Sequence, residues 1–383
     1  MSTYQSTMKE AMEIIADGTS LAMRRLLPEG TRGYVGAMNN WTGRYTLSDH
    51  YVAYHPGYLM GRLWLLHHHT HDEQFKKWAL RVLDPMVQDL TDRPFSSQAV
   101  GLDIYYGLCW AAEMTGSTKL KDAVMRASDL VIKGLWSDKA QLFFIGRVRL
   151  AANIVNIDAA ACFFHFPWAA RYEPRFMDYW VKHNDSLLRI GLMRPDGSIY
   201  QVAYFDEAAH ALLYYSTFQG YRPESTWARG QSWGMHNYTA AYESTGQQRF
   251  LDAAIRASDW WVKNVPSEWV PPYDFTDPAR ASLPKDSCAA AIAANSLIRL
   301  AEIRPELASR YRPVAEGTMI ELAKNYLSEG GILLHGSIGN VKSQGTMGAR
   351  FPQEDVIPFG NYYFVEALCR ELSPGCNLLK LKP

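Results

Sequence analysis

Thr115-Gly116-Ser117-Thr118-Lys119-Leu120-Lys121-Asp122-Ala123-Val124-Met125-Arg126-Ala127-Ser128-Asp129 and Thr245-Gly246-Gln247-Gln248-Arg249-Phe250-Leu251-Asp252-Ala253-Ala254-Ile255-Arg256-Ala257-Ser258-Asp259 align without a gap at an offset of 130 residues. Each copy follows an apolar helical run, Ile104 to Met114 in the first and Trp233 to Tyr242 in the second. In each, Thr-Gly reads as a helix end whose glycine supplies the left-handed cap. A second helix starts within a few residues, so each copy predicts an αα-hairpin. The Asp129 and Asp259 that close the repeat read as exposed helix positions.

Weaker copies recur along the chain. Leu63–His69 runs into Thr70–Phe75, Phe163–Ala170 into Arg171–Phe176, and Ala289–Glu302 into Arg304–Leu307. Phe364–Leu372 is placed to pair with a first helix over Thr3–Leu27. Stacked αα-hairpins make solenoids or closed toroids. The 383 residues contain no linker and no βαβ alternation. About six hairpins therefore predict one all-α toroid over residues 1–383, read as a single catalytic domain. Short strands are expected only near Leu142–Ile145, Ile199–Tyr204 and Gly331–Leu334. The longer connections at one end, 39–58, 93–101, 134–158, 195–232, 266–287 and 328–360, are where a rigid scaffold would present function.

Lys+Arg and Asp+Glu are each 39, and this charge balance argues against a nucleic-acid surface. No apolar run is long enough to span a membrane. Nor does the N-terminus read as a secretion signal. Cys109, Cys162, Cys288, Cys369 and Cys376 are odd in number and lack CxxC spacing, which reads as reduced thiols in a cytoplasmic protein. Aromatic residues reach 13%, with 12 Trp and 22 Tyr, enough to furnish stacking faces for sugar rings.

Two acids stand in apolar surroundings. Asp103 lies within Ala99-Val-Gly-Leu-Asp103-Ile-Tyr-Tyr-Gly107, and Asp158 within Ile154-Val-Asn-Ile-Asp158-Ala-Ala-Ala-Cys162. Apolar neighbours raise a carboxyl pKa by desolvation. The structural alternative for each is a helix N-cap, whereas a pair of such acids in a cleft suits acid–base work on sugars. Glu224–Gly234 packs Trp227, Arg229, Gln231 and Trp233 together, with Gln219 just upstream. Arg is a natural carboxylate fork and Trp a stacking face; a helix start with core tryptophans is the alternative. His67 and His71 have the i,i+4 spacing of a metal pair but lack an evident third ligand, so they read as solvated helix-end residues. His55, His165, His183 and His210 read as scattered core or surface positions. Lys342-Ser343-Gln344 lies in a Gly-rich loop that could touch a substrate.

The stretch Gln219-Gly-Tyr221 followed by Ser225-Thr-Trp-Ala-Arg-Gly-Gln-Ser-Trp233 resembles the central signature of the unsaturated glucuronyl hydrolases, glycoside hydrolase family 88. The resemblance continues through Tyr58–Trp64, Ile157-Asp158, Arg194–Ser198, Val270–Phe275, Lys285–Ile292, Leu333–Gly336 and Phe359–Leu368. It implies an (α/α)6 barrel with no cofactor and no metal. Its partner would be an oligosaccharide made by a polysaccharide lyase, ending in a 4,5-unsaturated uronate, handled by a monomer or homodimer. The family's acid/base aspartate falls on Asp158 and its second catalytic aspartate on Asp103. Its substrate-contacting residues match Gln219, Trp227, Arg229 and Trp233, with Gln201, Tyr54 and His335 completing the expected binding set. Three positions depart from the family pattern: Leu102 and Gln201 stand where histidines are usual, and Tyr54 where a tryptophan is. The alternatives are an unsaturated rhamnogalacturonyl or galacturonyl hydrolase, a non-catalytic sugar-binding toroid, and a helical scaffold for protein partners.

Overall fold

The computed structural model describes residues 3–95, 97–145, 153–206, 211–339 and 354–373. His210, Lys342–Gln344 and Cys376 lie outside the described residues.

The repeated Thr-Gly does what its chemistry requires. Thr115 Oγ1 donates to Ala111 O and Thr245 Oγ1 to Ala241 O, each at 2.6 Å. Gly116 and Gly246 then take φ values of 67° and 68°, a left-handed turn that costs any residue with a Cβ. The chain reverses, and an outer helix begins at Thr118 or Gln248.

Six such hairpins form among the described residues. We number the helices α1 (Thr3–Leu26), α2 (His55–Thr70), α3 (Glu73–Leu83), α4 (100–115, widened to a π-turn over Ile104–Cys109), α5 (Thr118–Leu135), α6 (157–169, opening as a 3-10 turn) and α7 (Arg175–Arg189). Then follow α8 (Ala228–Thr245), α9 (Gln248–Asn264), α10 (Ser287–Ile303), α11 (Ala308–Glu321) and α12 (Pro358–Leu372). The even-numbered helices form a closed inner ring in which each packs on the next and α12 returns to α2. The odd-numbered helices lie outside, and α1 completes the last hairpin by packing on α12. This is the expected (α/α)6 toroid.

Inner and outer helices bury different fractions of their surface. On α5 the buried positions are Val124, Ala127, Ser128, Val131 and Leu135, one stripe at helical spacing. Every residue of α8 from Ala228 to Ala241 is buried, as is every residue of α10 from Ser287 to Ala301. Helices buried on all sides need small residues where backbones meet. At Gly101 of α4, a Cβ would stand 1.7 Å from the carbonyl oxygen of Cys162 in α6.

The strands are more numerous than expected. β1 (Tyr34–Met38) and β2 (Tyr45–Ser48) form a hairpin before α2, and β3 (Trp136–Ser137) pairs with β4 (Leu142–Phe143). β5 (Asn153–Asn156), β6 (Val202–Asp206) and β7 (Ala211–Ser216) make an antiparallel sheet in the order β5-β6-β7. The strand expected over Ile199–Tyr204 is thus displaced toward Asp206, and Gly331–Leu334 contributes only the bridge of Leu333 to Leu327. Asp129 is exposed as expected and Asp259 is half-buried, and both are ion-paired. Asp129 receives both arms of Arg175 at 2.6 and 2.9 Å, and Asp259 accepts from Tyr311 Oη at 2.8 Å and pairs with Arg310.

Four of the five cysteines are described, and all four are buried free thiols. Among the described residues no helix is long and apolar enough to cross a membrane, and no three His, Cys, Asp or Glu side chains gather as a metal site. His71 ends α2 in a left-handed conformation, and His67 Nδ1 sits 3.0 Å from Asp72 O.

Candidate active site

Five inner helices, α2, α4, α6, α8 and α12, open on one cavity of about 230 Å³ through their first turns or the residues just before them. α2 brings Tyr54, His55 and Tyr58; the start of α4 brings Gln98, Ala99 and Leu102. α6 contributes Asn156, Asp158 and Cys162, α8 contributes Arg229 and Trp233, and α12 contributes Ile357, Pro358 and Phe359. Asn40, Gln219 and Ile338 from the long loops complete the wall. Helix N-termini carry partial positive charge and unsatisfied N–H groups, so this end of the barrel favours an anion. A larger, open groove of about 720 Å³ between α1 and α3 holds none of the expected site residues, and its Arg81 is committed to the carbonyls of Leu27 and Pro28.

Asp158 is the one acid on the described cavity wall. It does not cap its helix. That role falls to Asn156, whose Oδ1 accepts from Ala159 N at 2.8 Å. Asp158 Oδ2 accepts from Gln201 Nε2 at 3.4 Å, while Oδ1 is buried without a hydrogen-bond partner. Burial pushes the carboxyl up to about 6, against the opposing pull of the Arg229 charge and the Gln201 amide. The group is thus poised to give and retake a proton near neutral pH.

Asp103 is placed differently. It is fully buried one turn into α4, behind Tyr54, and is not among the residues lining the cavity. Its Oδ2 accepts from Tyr51 Oη at 2.6 Å and from Tyr54 N at 2.8 Å. The second bond holds Tyr54 at a φ of 65°, a strained setting for a residue with a Cβ. Gly57 allows the close approach, because a Cβ there would lie 2.7 Å from Asp103 Oδ1. Burial pushes Asp103 up to about 7 despite these donors.

The expected binding set divides in two. Tyr54, Gln219, Arg229 and Trp233 line the cavity; Trp227, Gln201 and His335 do not. Trp227, 2% exposed, lies beneath Arg229 with its ring 4.6 Å from the guanidinium carbon. Phe359 lies 5.0 Å from the same carbon, so the guanidinium is flanked by two aromatic rings. The Arg229 Nη atoms serve Ser337 O at 2.9 Å, Ile338 O at 3.2 Å and Asp286 Oδ2 at 3.4 Å. Arg229 therefore delivers charge to the cavity while tying down the loop that carries Ile338. His335 faces outward and pairs through Nδ1 with Glu354 at 2.8 Å; its backbone carbonyl receives Ser287 N at the start of α10. Leu102 places an apolar side chain on the wall where the family pattern has a histidine.

Asn40, His55, Tyr58, Gln98, Asn156, Ile338 and Phe359 are wall residues that the sequence reading did not single out as site residues. The available signal for Asn40, Gln98 and Ile338 was membership of the long connections. His55 gave none: its Nδ1 accepts from Met38 N at 3.0 Å, and burial lowers its pKa to about 4.

Known proteins resemble this chain over most of its length. An unsaturated glucuronyl hydrolase of Bacillus sp. is 28% identical over 378 residues, covering 94% of this chain and 96% of its own. One of Formosa agariphila is 26% identical over 340 residues, covering 82% of this chain and 79% of its own. Over most of its length this chain is thus similar to the unsaturated glucuronyl hydrolases. A solved structure described as an unsaturated glucuronyl hydrolase specific for heparin matches the fold with a TM-score of 0.81 at 22% identity, covering 95% of this chain and 96% of that one. No protein-family model matches the chain. The departures from that family's pattern at Tyr54 and Leu102 stand on the cavity wall, and the departure at Gln201 stands behind Asp158.

Proposed function

We propose that this protein is a glycoside hydrolase that releases the non-reducing-end 4,5-unsaturated uronate from oligosaccharides made by polysaccharide lyases. The observation that carries the reading is the solitary carboxyl on the described wall: Asp158, raised to about 6, with Oδ1 bare. A glycosidase that attacks C1 needs two carboxyl groups flanking the glycosidic bond. Hydration of a vinyl ether needs only one group that first donates and then accepts a proton.

In the proposed reaction the Asp158 carboxylic acid protonates C4 of the C4=C5 bond. The resulting cation at C5 is stabilised by the ring oxygen. Water adds at C5 and returns a proton to the Asp158 carboxylate. The C5 hemiketal opens to a ketone, leaving C1 as a hemiacetal that expels the aglycone alcohol. Arg229 and the converging helix N-termini favour the uronate carboxylate. Tyr54, Trp233 and Phe359 offer ring faces to the sugar, and Gln219 a polar contact. Asp103 supports this wall through Tyr54. We read residues 1–383 as one catalytic domain. We read it as acting in the cytoplasm, which the four buried cysteines outside any disulfide support, as a monomer or homodimer with neither nucleic acid nor membrane as partner.

The test is a panel of lyase-generated disaccharides followed by the ultraviolet absorbance of the conjugated enol ether. Absorbance should fall, a saturated glucuronide should be left intact, and reaction in deuterium oxide should place one deuteron at C4. Cleavage of the saturated glucuronide at a comparable rate, or a product without deuterium at C4, would overturn the reading in favour of direct attack at C1.

A further inference from the structure

We infer that Gln201 is the positioning residue of the proton donor, clamping Asp158 by Oδ2 so that its carboxyl is held at one rotation on the cavity wall. The inference rests on the hydration reading above for its chemistry and on the following geometry for its residue.

Gln201 is buried and lies behind the cavity wall. Its Oε1 accepts three hydrogen bonds, from Thr217 Oγ1 at 2.6 Å, Phe218 N at 2.9 Å and Gln219 N at 3.1 Å. Two of those donors are backbone N–H groups that can only donate, so the amide orientation is fixed and the NH₂ must face the other way. Its two hydrogens go to Asp158 Oδ2 at 3.4 Å and to Gln219 Oε1. The backbone is committed too, because Gln201 O accepts from Ile157 N at 2.9 Å, one residue before the acid. One residue thus sets the turn that carries Asp158, the rotation of its carboxyl and the placement of the Gln219 amide on the wall.

The charged and titratable groups around Asp158 are few. They are Arg229 from α8, Cys162 on its own helix, Asp103 from α4, and His55 with Tyr54 and Tyr58 from α2. Burial holds the thiol and phenols protonated and His55 neutral at working pH. Gln201 itself cannot titrate. Asp158 and Asp103 are therefore the surrounding groups that change charge near neutrality, and Gln201 hydrogen-bonds the first of them.

Two variants test the clamp. Gln201→Met keeps the length and removes both amide functions. Gln201→Glu keeps an acceptor for Thr217, Phe218 and Gln219, so it holds the loop, but puts oxygen where the donor faced Asp158. In both, kcat on an unsaturated disaccharide should fall roughly ten- to a hundredfold, the worth of a hydrogen bond to a charged group, with KM little changed. The falling limb of the pH profile should move up by about one pH unit, because the carboxylate has lost its donor. The same shift should appear without turnover in the infrared carboxyl band that Asp158→Asn abolishes. A folded Gln201→Glu protein with unmoved limb and band overturns the clamp, and if Gln201→Met does not fold, Gln201→Glu decides alone. An unreactive wild type would overturn the hydration reading, while the infrared shift would still judge Gln201.

Discussion

Asp158 and Asp103 show how little a residue's identity says about its task until its two oxygens are followed. Both sit in apolar runs and both are pushed up by burial, to about 6 and about 7. Asp158 lines the cavity with one oxygen held by Gln201, whereas Asp103 lies off the wall and spends one on Tyr51 and the strained Tyr54 backbone. Asp158→Asn keeps the shape and removes the proton. Turnover should fall by about 10² to 10⁴, the usual worth of a general acid–base group, with the circular dichroism spectrum unchanged. In the wild type the donor must be protonated, so kcat/KM should decline as pH rises through about 6. Near-normal turnover in a folded Asp158→Asn protein would move the proton transfer to another group. The sequence exposed both acids by their apolar settings. It could not tell wall from support, because that depends on Tyr54 of α2 standing in front of Asp103.

At the scale of elements, glycines set the distances between helices. A Cβ at Gly101 would meet backbone, the Cys162 carbonyl, and backbone cannot rotate away. Gly101→Ala must push α4 from α6, the two helices that carry Asp103 and Asp158. Its cost should reach about 3 kcal/mol or more, as overpacking against a fixed neighbour does. Gly246 has open space around it and a φ of 68°. Gly246→Ala should therefore cost only the left-handed strain, about 1 kcal/mol. Thermal denaturation of the two variants ranks them, and equal losses would disprove this account of the α4–α6 contact. Helix ends and hairpins were legible because they depend on local chemistry, Thr-Gly and the apolar stripe. The sheet β5-β6-β7 was not, since its middle strand pairs residues 153–156 with 202–205 across a long sequence separation.

For the whole molecule, the buried titratable groups pull stability in opposite directions with pH. Burial lowers the pKa of His55 to about 4 and of His165 and His183 to about 3, and holds His236 well below its usual value. A histidine whose folded pKa is depressed contributes stability above its unfolded pKa of about 6.5, and that contribution is lost as pH falls toward the folded value. Asp103 and Asp158 are raised to about 7 and about 6, and Asp286 and Glu371 are raised too, so the folded state holds these protons more tightly and they favour acid conditions. With His68 and His69 also lowered, six histidines against these four acids among the described residues leave a net loss of stability as pH drops from 6.5 to 4.5. His236, whose ring nitrogens have no hydrogen-bond partner, gives the cleanest test. His236→Leu should flatten the pH dependence of the unfolding free energy by about 1.4 kcal/mol per pH unit over that range, and Asp103→Asn should steepen it. Urea titrations at pH 4.5 to 7 measure both slopes; an unchanged slope in His236→Leu would show that this ring is already protonated in the fold.

The sequence by itself determined the hairpins, their closure into one ring, and the candidates Asp158, Gln219, Arg229, Trp233 and Tyr54 that line the cavity. Tyr54 came only through the family resemblance; the others announced themselves locally, through a glycine cap, an apolar stripe, or a charged or aromatic residue in an unusual neighbourhood. The tertiary structure alone decided that Asp103, Trp227 and Gln201 stand one layer behind the wall and that His335 turns outward. It also brought in Asn40, His55, Gln98 and Phe359. The physical reason is that residue chemistry is carried by the chain itself. Depth from a cavity surface is set by packing between helices far apart in sequence, and one intervening ring, Tyr54 over Asp103, is enough to change a residue's task.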